Sequence, residues 1–210
     1  MIDGPVRNDG VPNTQAFPMC SEYEQQIGYT EYCKVMQDLA LGIPTHQTEL
    51  DMPSANEIKT GDMAPVIRAA GDHILELTQM KFGFPQTRTR GPVFNLRSKG
   101  KHFGDSHRCL VPASAFFEHT RRKYPKAKHR FTLVRAPLMA IAAIWQPSQK
   151  GQPAAFTMLT TEPGPDVEPF HNRQIAVLHP IDWQAWIDLT KPEEELLRPL
   201  PVGSLRVETR

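Results

Sequence analysis

Helical spacing of apolar residues is confined to a few stretches of this chain. Ser21 and Glu24 have the spacing of a capping box, and apolar residues follow them at helical intervals. This pattern predicts a first helix over 21–41, which Gly42 and Pro44 would end.

Two further helices are predicted near the C-terminus. Trp183 and Trp186 fall on one face of a helical pattern over 182–189. Thr190 and Glu193 repeat the capping-box spacing, which predicts a short terminal helix. Strands are therefore expected mainly between the first helix and these two.

The middle of the chain has the pattern of strands. Residues 62–77 predict two short strands around a turn at Gly71 and Asp72. The polar stretches 43–62 and 91–109 resemble loops. Four later segments are alternating or continuously apolar, as strands are: 129–135, 138–145, 154–161 and 173–179.

This element order predicts one α+β domain, with a mixed, mainly antiparallel sheet or partial barrel flanked by helices. The strands are not separated by regular helical crossovers, which excludes a doubly wound parallel sheet. The 20 prolines argue against a helical bundle. The polar residues 1–18 are expected to be a disordered or mis-annotated extension, 19–190 the folded domain, and 191–210 a short helix and tail.

Composition narrows the class of protein. The longest apolar run, 136–145, is too short to cross a bilayer, and the N-terminus lacks the features of a signal peptide, so a cytoplasmic protein is expected. Cys20, Cys33 and Cys109 are odd in number and have no metal-binding spacing. No metal, cofactor or membrane partner is predicted, and Cys33 and Cys109 are expected to be small buried hydrophobes.

Charge is distributed unevenly along the chain, although the net charge is only +1. Residues 81–135 carry fourteen Lys and Arg against two Asp and Glu, whereas 1–80 carry four against twelve. The simplest interpretation is a solvated basic face that pairs with the acidic ends. The same excess of positive charge is what a phosphate backbone attracts.

Four motifs in this chain resemble one protein family. They are Met19-Cys20, "NLRS" at 95–98, "RCLVPASAFFEH" at 108–119 and "TMLTTEPGPDVEPFHNRQIAVL" at 157–178. In order and approximate spacing they are similar to the SRAP family, the SOS response-associated peptidase-like proteins. The resemblance covers roughly 19–190.

The resemblance implies a reaction with abasic sites in single-stranded DNA, as part of a response to DNA damage. Family members expose Cys as their first residue, and its amine and thiol together capture the ring-opened aldehyde as a thiazolidine. Only an N-terminal Cys has both groups, because the nitrogen of an internal residue is a non-nucleophilic amide. Here that residue would be Cys20.

The residues before Cys20 bear on this prediction. With 1–19 attached, Cys20 lacks the free amine that the reaction needs. Either translation starts at Met19, or the extension is removed, or the protein does not cross-link. We favour a misassigned start, while the family also suggests that Met19–Cys20 is an autoproteolytic bond.

The resemblance assigns roles to three more residues. Glu118 would be the catalytic proton acceptor and donor beside the amine. His171 would assist sugar ring opening and the proton transfers of the Schiff base, although a lone His is usually structural. Asn95 would orient the reacting cysteine by hydrogen bonding.

The resemblance also suggests how the DNA is bound. Arginines would contact phosphates, lysines would add positive charge, and two aromatic rings would stack on bases or wedge between them. For at least one of the rings, core packing is the alternative. The predicted DNA-binding residues are Arg97, Lys99, Lys101, Arg108, Arg173, Phe82 and Phe84.

The chain departs from the family pattern at several positions, so it is a divergent member. Ser21 and Glu22 stand where Gly-Arg is usual, which would weaken a phosphate contact next to the nucleophile. His119 replaces a Trp, Asn172 an Asp, and Phe82 a Trp.

Three functions are therefore compared. The first is a monomeric abasic-site sensor that cross-links single-stranded DNA and has possible autopeptidase activity. The second is a module that binds DNA or a partner through 81–135 without catalysis. The third, ranked last, is a thiol peptidase that uses Cys20 and His171 on peptides, because no pocket for a substrate side chain is evident.

Overall fold

The computed structural model describes residues 21–71, 73–85, 91–120, 127–149 and 151–209. Within these ranges the helices are α1 (Tyr29–Asp38), α2 (Trp183–Asp188) and α3 (Glu193–Leu196), with 3₁₀ turns at Glu49–Asp51 and Pro180–Asp182. The strands are β1 (Glu22–Gln25), β2 (Ala55–Lys59), β3 (Met63–Gly71), β4 (Ile74–Phe82), β5 (Asn95–Arg97), β6 (His107–Ala113), β7 (Ala115–His119), β8 (Lys128–Leu133), β9 (Met139–Gln146), β10 (Ala155–Thr161), β11 (Gln174–Ile175), β12 (Val177–Leu178) and β13 (Leu205–Thr209).

The strands form two sheets. The five-stranded sheet has the order β13-β8-β7-β1-β2 and is antiparallel throughout. The eight-stranded sheet has the order β11-β10-β4-β3-β6-β9-β12, with β5 beside β10. Because β10 pairs with both β4 and β9, the strands β10, β4, β3, β6 and β9 close into a ring. The predicted α+β fold with a mixed, mainly antiparallel partial barrel is confirmed.

Strand β9 of the eight-stranded sheet is covered on both faces. Met139 and Ile141 of β9 pack in a cluster that contains side chains of both sheets. Their neighbour Ala140 packs in a second cluster with Trp183 and Trp186 of α2. This is why β9 reads as a continuous apolar run rather than an alternating one.

The first predicted helix is wrong at its start. Residues 22–25 form β1, which pairs with β7 and β2, and the helix begins only at Tyr29. Tyr23 is fully buried, and the Glu24 carboxylate accepts a hydrogen bond from Arg130 at 2.6 Å instead of capping a helix. Pairing with strands distant in sequence overrides the local capping pattern.

Other predicted elements differ in extent. The strands predicted within 62–77 are present as the longer β3 and β4, and the helix over 182–189 is present as α2. The strand expected at 173–179 is divided at Ala176, whose N–H donates to Leu159 and whose carbonyl accepts from Ala142. β2, β5 and β13 lie in segments that lacked a strand pattern.

The described ranges were expected to contain neither a membrane-spanning helix nor a metal site. None of their helices has the length and apolar character needed to cross a membrane. The same ranges contain no group of three or more His, Cys, Asp or Glu side chains arranged to hold a metal ion.

Candidate active site

Glu118 lies on β7 and faces the core between the two sheets. Side chains alternate along a strand, so Glu118 shares the face of Phe116, while Phe117 points the other way. Only 1% of Glu118 is exposed. A carboxyl group buried at this depth is unusual unless it serves an interaction or a reaction.

The register of β1 brings the start of the described chain to Glu118. Tyr23 pairs with Phe116 and Glu24 with Ala115 in an antiparallel ladder. Extending this register by two residues puts Ser21 opposite Glu118. Cys20 lies outside the described residues, but it directly precedes Ser21 in the chain.

His129 is the neighbour of Glu118 on the other side, on β8. Burial, and then the nearby His119, lowers the pKa of His129, which favours a neutral ring beside the carboxyl group. Its two ring nitrogens lie 2.8 Å from the hydroxyl of Thr120 and 2.9 Å from that of Thr209. The His129 ring is therefore held in place on the β7–β8 strand pair, beside Glu118.

His171 follows a tight turn that packs against the β7–β8 strand pair. The backbone N–H groups of Phe170 and His171 both donate to the carbonyl of Val167, which ends the turn. The Phe170 ring lies 4.4 Å from the His129 ring, so the turn reaches the strand pair that carries Glu118. His171 is only 4% exposed, and its Nδ1 lies 3.0 Å from the carbonyl oxygen and 3.2 Å from the backbone nitrogen of Arg173. The structure thus places His171 and Glu118 in one region.

Asn95 begins β5, which pairs in parallel with β10. The preceding Phe94 packs edge-on against Phe82, and Phe82 packs edge-on against Tyr23 of β1. This aromatic series connects the start of β5 with the strand that follows Cys20. Asn95 is partly buried, as expected for a side chain at the margin of a site.

Arg173 carries positive charge into this region. Its Nη2 donates to the hydroxyl of Thr160, which lies opposite Arg97 in the β5–β10 ladder. Burial, and then the charge of Arg97, lowers the pKa of Arg173, while Glu118 and Glu162 oppose that shift. Two neighbouring guanidinium groups form a place where an anion is favourable.

The predicted lysines lie on an adjacent cleft. Lys99 and Lys101 are exposed on the loop after β5 and line a cleft of about 400 Å³. The cleft is also lined by acidic residues, and Lys99 pairs with Glu162 at 3.4 Å. Both ammonium groups are accessible to a polyanion.

The two predicted aromatic contacts have different environments. Phe82 is 1% exposed and stacks on Phe156 at 5.1 Å, so it is a core residue and not an accessible stacking surface. Phe84 is partly exposed and lines a cavity of about 430 Å³ with Pro85 and Pro92. Of the two rings, only Phe84 can reach a base without unpacking the core.

Arg108, a predicted phosphate contact, is instead engaged with the protein's own backbone. Its guanidinium donates to carbonyls of the 103–106 loop and of α2, at distances of 2.9 to 3.2 Å. The acceptors are Phe103, Gly104, Ser106, Trp186 and Ile187. Carbonyls at the end of α2 and in the loop are thus satisfied by one side chain.

Arg108→Lys is expected to lower the free energy of unfolding by about 2 kcal/mol, because an ammonium group cannot bond this spread of carbonyls. Urea unfolding followed by Trp fluorescence would measure the loss. The exposed Arg97→Lys is the control and should unfold like the parent protein. Unchanged stability together with weaker DNA binding in Arg108→Lys would restore its predicted role at phosphates.

Three of the residues that depart from the family pattern lie at the surface or in an ion pair. His119 and Asn172 are exposed, and Glu22 pairs with Lys128 at 2.5 Å. Sequence reasoning assigned no role to Thr160, which bonds Arg173 although it lies within the motif at 157–178, or to Lys128, which lies in no motif. Their partners become evident only when distant strands are brought together.

A family model described as SOS response associated peptidase (SRAP) matches residues 19–209. The abasic site processing protein YoqW of Bacillus subtilis strain 168 is 26% identical over 125 residues, which cover 57% of this chain and 55% of that protein. A protein of the same name from Bacillus phage SPbeta matches equally. The chain thus spans about half the length of these curated relatives.

Solved structures show the same fold. A Bordetella bronchiseptica protein has a TM-score of 0.68 at 21% identity, covering 91% of this chain and 99% of its own. A Bacteroides thetaiotaomicron protein has a TM-score of 0.68 at 15% identity, covering 90% and 91%. A phage-related protein from Bordetella bronchiseptica has a TM-score of 0.67 at 16% identity, covering 91% and 94%.

Proposed function

Because this chain belongs to the SOS response associated peptidase family, we propose that it processes abasic sites in DNA. The proposed reaction is covalent capture of the abasic aldehyde in single-stranded DNA by Cys20, once Cys20 is the first residue. One observation carries the proposal: Tyr23 pairs with Phe116 and Glu24 with Ala115, and this register, extended by two residues, would put Ser21, the residue after Cys20, opposite the buried Glu118.

The chemistry balances with the loss of one water. The α-amine of Cys20 adds to the aldehyde carbon, and the resulting carbinolamine loses water to give an imine. The thiol then adds to the imine carbon and the imine nitrogen takes a proton, which closes a thiazolidine. In model compounds the α-amine has a pKa of about 8 and the thiol a pKa of about 8.5, so both are partly deprotonated at neutral pH.

Glu118 is the proposed proton acceptor and donor of this sequence. It takes a proton from the α-ammonium group of Cys20, which frees the amine to attack the aldehyde, and returns the proton to the departing hydroxyl. His171 moves protons during sugar ring opening, and Asn95 orients the cysteine by hydrogen bonding. These roles are supported by two contacts: Phe170, next to His171, packs on His129 beside Glu118, and Tyr23 of β1 packs on Phe82 near the start of β5.

The DNA is proposed to approach from the side of β5. Arg97 and Arg173 contact phosphates near the lesion, Lys99 and Lys101 contact them further away, and Phe84 contacts a base. The protein is proposed to act as a monomer, in the cytoplasm and without a metal or cofactor. A module that only binds DNA non-covalently is the alternative.

The extension before Cys20 must be absent for this reaction. The match of the family model begins at residue 19, which supports a chain that starts at Met19 and loses that residue. Alternatively, the protein hydrolyses its own Met19–Cys20 bond, which consumes one water and frees the amine.

The test compares the full chain with a form whose first residue is Cys20. Each is incubated with single-stranded DNA bearing one abasic site and analysed on a denaturing gel and by intact mass. We expect the Cys20 form to give a heat-stable adduct at the mass of protein plus DNA minus water. If the full chain reacts, its mass will show whether 1–19 were first removed.

The variant Cys20→Ala distinguishes covalent capture of the abasic site from non-covalent binding of DNA. Cys20→Ala should abolish the adduct and keep the affinity for DNA, because it removes the thiol and little else. If neither form gives an adduct but both bind DNA, the cross-linking proposal is wrong and the non-covalent module is supported. Cleavage of added peptides without an adduct would support the peptidase instead.

A further inference from the structure

One face of the five-stranded sheet points away from the core and carries paired charges; it is called the outer face here. In β1, Tyr23 points into the core, so Glu22 and Glu24 point to the outer face. Glu22 pairs with Lys128 at 2.5 Å, and Glu24 pairs with Arg130 at 2.6 Å. Both cations belong to β8, which is separated from β1 by β7.

The Lys128 side chain crosses β7 to reach two other strands. Its ammonium nitrogen lies 4.1 Å from the ring centroid of Phe117 on β7. It pairs with Glu22 on β1 and, at 2.9 Å, with Glu57 on β2. Burial lowers the pKa of Lys128, but its bonds to Glu22 and Glu57 raise it further, so the group stays charged. One cation therefore joins the three strands around the start of β1.

These contacts adjoin the proposed nucleophile. Glu22 is the first residue of β1, paired with Lys59 of β2. The carbonyl of Ser21 accepts hydrogen bonds from the N–H of Thr60 at 3.2 Å and from its hydroxyl at 3.4 Å. The Cα atom of residue 20 is within about 7 Å of that of Glu22, since two peptide units separate them.

We propose that Lys128 is a positioning residue for Cys20. By holding Glu22 and Glu57 together, it fixes the beginning of β1 and so the distance between Cys20 and Glu118. This inference rests on the proposed function and goes beyond it. It also gives the acidic residue at position 22, a departure from the family, a partner within the protein instead of a place at the DNA.

Loss of the Lys128 ammonium group is expected to move the beginning of β1. Without it, Glu22 and Glu57 on adjacent strands share the charge of Lys59, which pairs with Glu57 at 2.6 Å, so their repulsion is less well compensated. The end of β1 can relieve this repulsion by moving away from β2. A displacement of 1 Å at a reacting group can cost about 100-fold in rate, so even a fraction of that shift is measurable.

The experiment uses the form that begins at Cys20 and the variant Lys128→Met. The adduct is timed at saturating abasic DNA, and affinity is measured separately on DNA with a tetrahydrofuran abasic analogue, which has no aldehyde. We expect the rate to fall about 10-fold with affinity unchanged, since a partial misplacement affects the reaction and not the binding. Lys128→Arg should retain most of the rate, because Arg also pairs with carboxylates and packs on aromatic rings.

Arg130→Met is the matched control. Arg130 lies on the same strand and face, and pairs with Glu24, two residues further from Cys20. The Arg130→Met variant should lose about as much free energy of unfolding in urea as Lys128→Met does, but it should form the adduct at the parental rate. If both Met variants slow equally, or Lys128→Met keeps the parental rate, the positioning role is refuted. If the parental form itself gives no adduct, the proposed function fails and this inference fails with it.

Discussion

Replacing Glu118 by Gln is expected to slow adduct formation by about 100-fold or more, the usual contribution of a positioned general acid and base. Gln has nearly the same shape but cannot accept the proton of the ammonium group or return it to the departing hydroxyl. Glu118 is buried on β7, the strand that pairs with β1, and the β1–β7 register extended by two residues would put it opposite Ser21.

The measurement is a single-turnover time course with the form that begins at Cys20. Far-UV circular dichroism and binding to the tetrahydrofuran analogue should be unchanged. The control is Glu162→Gln, which removes an exposed carboxylate near Lys99 and should react at the parental rate. A Glu118→Gln variant that folds, binds and reacts like the parent would show that Glu118 has no catalytic role.

Trp186→Ala is expected to lower the free energy of unfolding by about 3–5 kcal/mol, as truncation of large buried side chains usually does. Trp186 is fully buried against the eight-stranded sheet, and its ring packs edge-on against Phe103. Its indole N–H donates to the carbonyl of Cys109 at 3.0 Å. The substitution therefore leaves both a cavity and a buried carbonyl without its donor.

Urea unfolding followed by circular dichroism would measure this loss. Trp186→Phe should recover part of it, because a ring refills most of the cavity but cannot bond Cys109. Ile181→Ala is the control, since Ile181 is 79% exposed and should change stability by less than about 0.5 kcal/mol. A loss below 1 kcal/mol in Trp186→Ala would mean that α2 contributes little to the core.

The sequence by itself determined those helices and strands in which the pattern of apolar residues matches the faces that are buried in the fold. The apolar run at 138–145 predicted a strand that is covered on both faces, and β9 is such a strand. The spacing of Trp183 and Trp186 predicted the packed face of α2. In both segments the period of hydrophobicity and the tertiary environment agree, so a short window of sequence is sufficient.

Family membership could also be predicted from the sequence, because it depends on the order of several motifs. The α+β fold class followed from the order of the helix and strand patterns along the chain. The motifs singled out Glu118 and His171, which the fold brings to the same region. Their chemical roles remain predictions, as do those of Cys20 and Asn95.

Only the tertiary structure decided which partner each ambiguous residue meets. The capping-box spacing of Ser21 and Glu24 is compatible with a helix, but β1 forms because β2 and β7 supply its hydrogen bonds. Arg108 has the composition of a phosphate contact, yet the 103–106 loop and α2 surround its guanidinium with carbonyls. Hydrogen bonds and ion pairs depend on distance in space, and several partners here are far apart along the chain: Trp186 is 78 positions from Arg108, and Arg130 is 106 positions from Glu24.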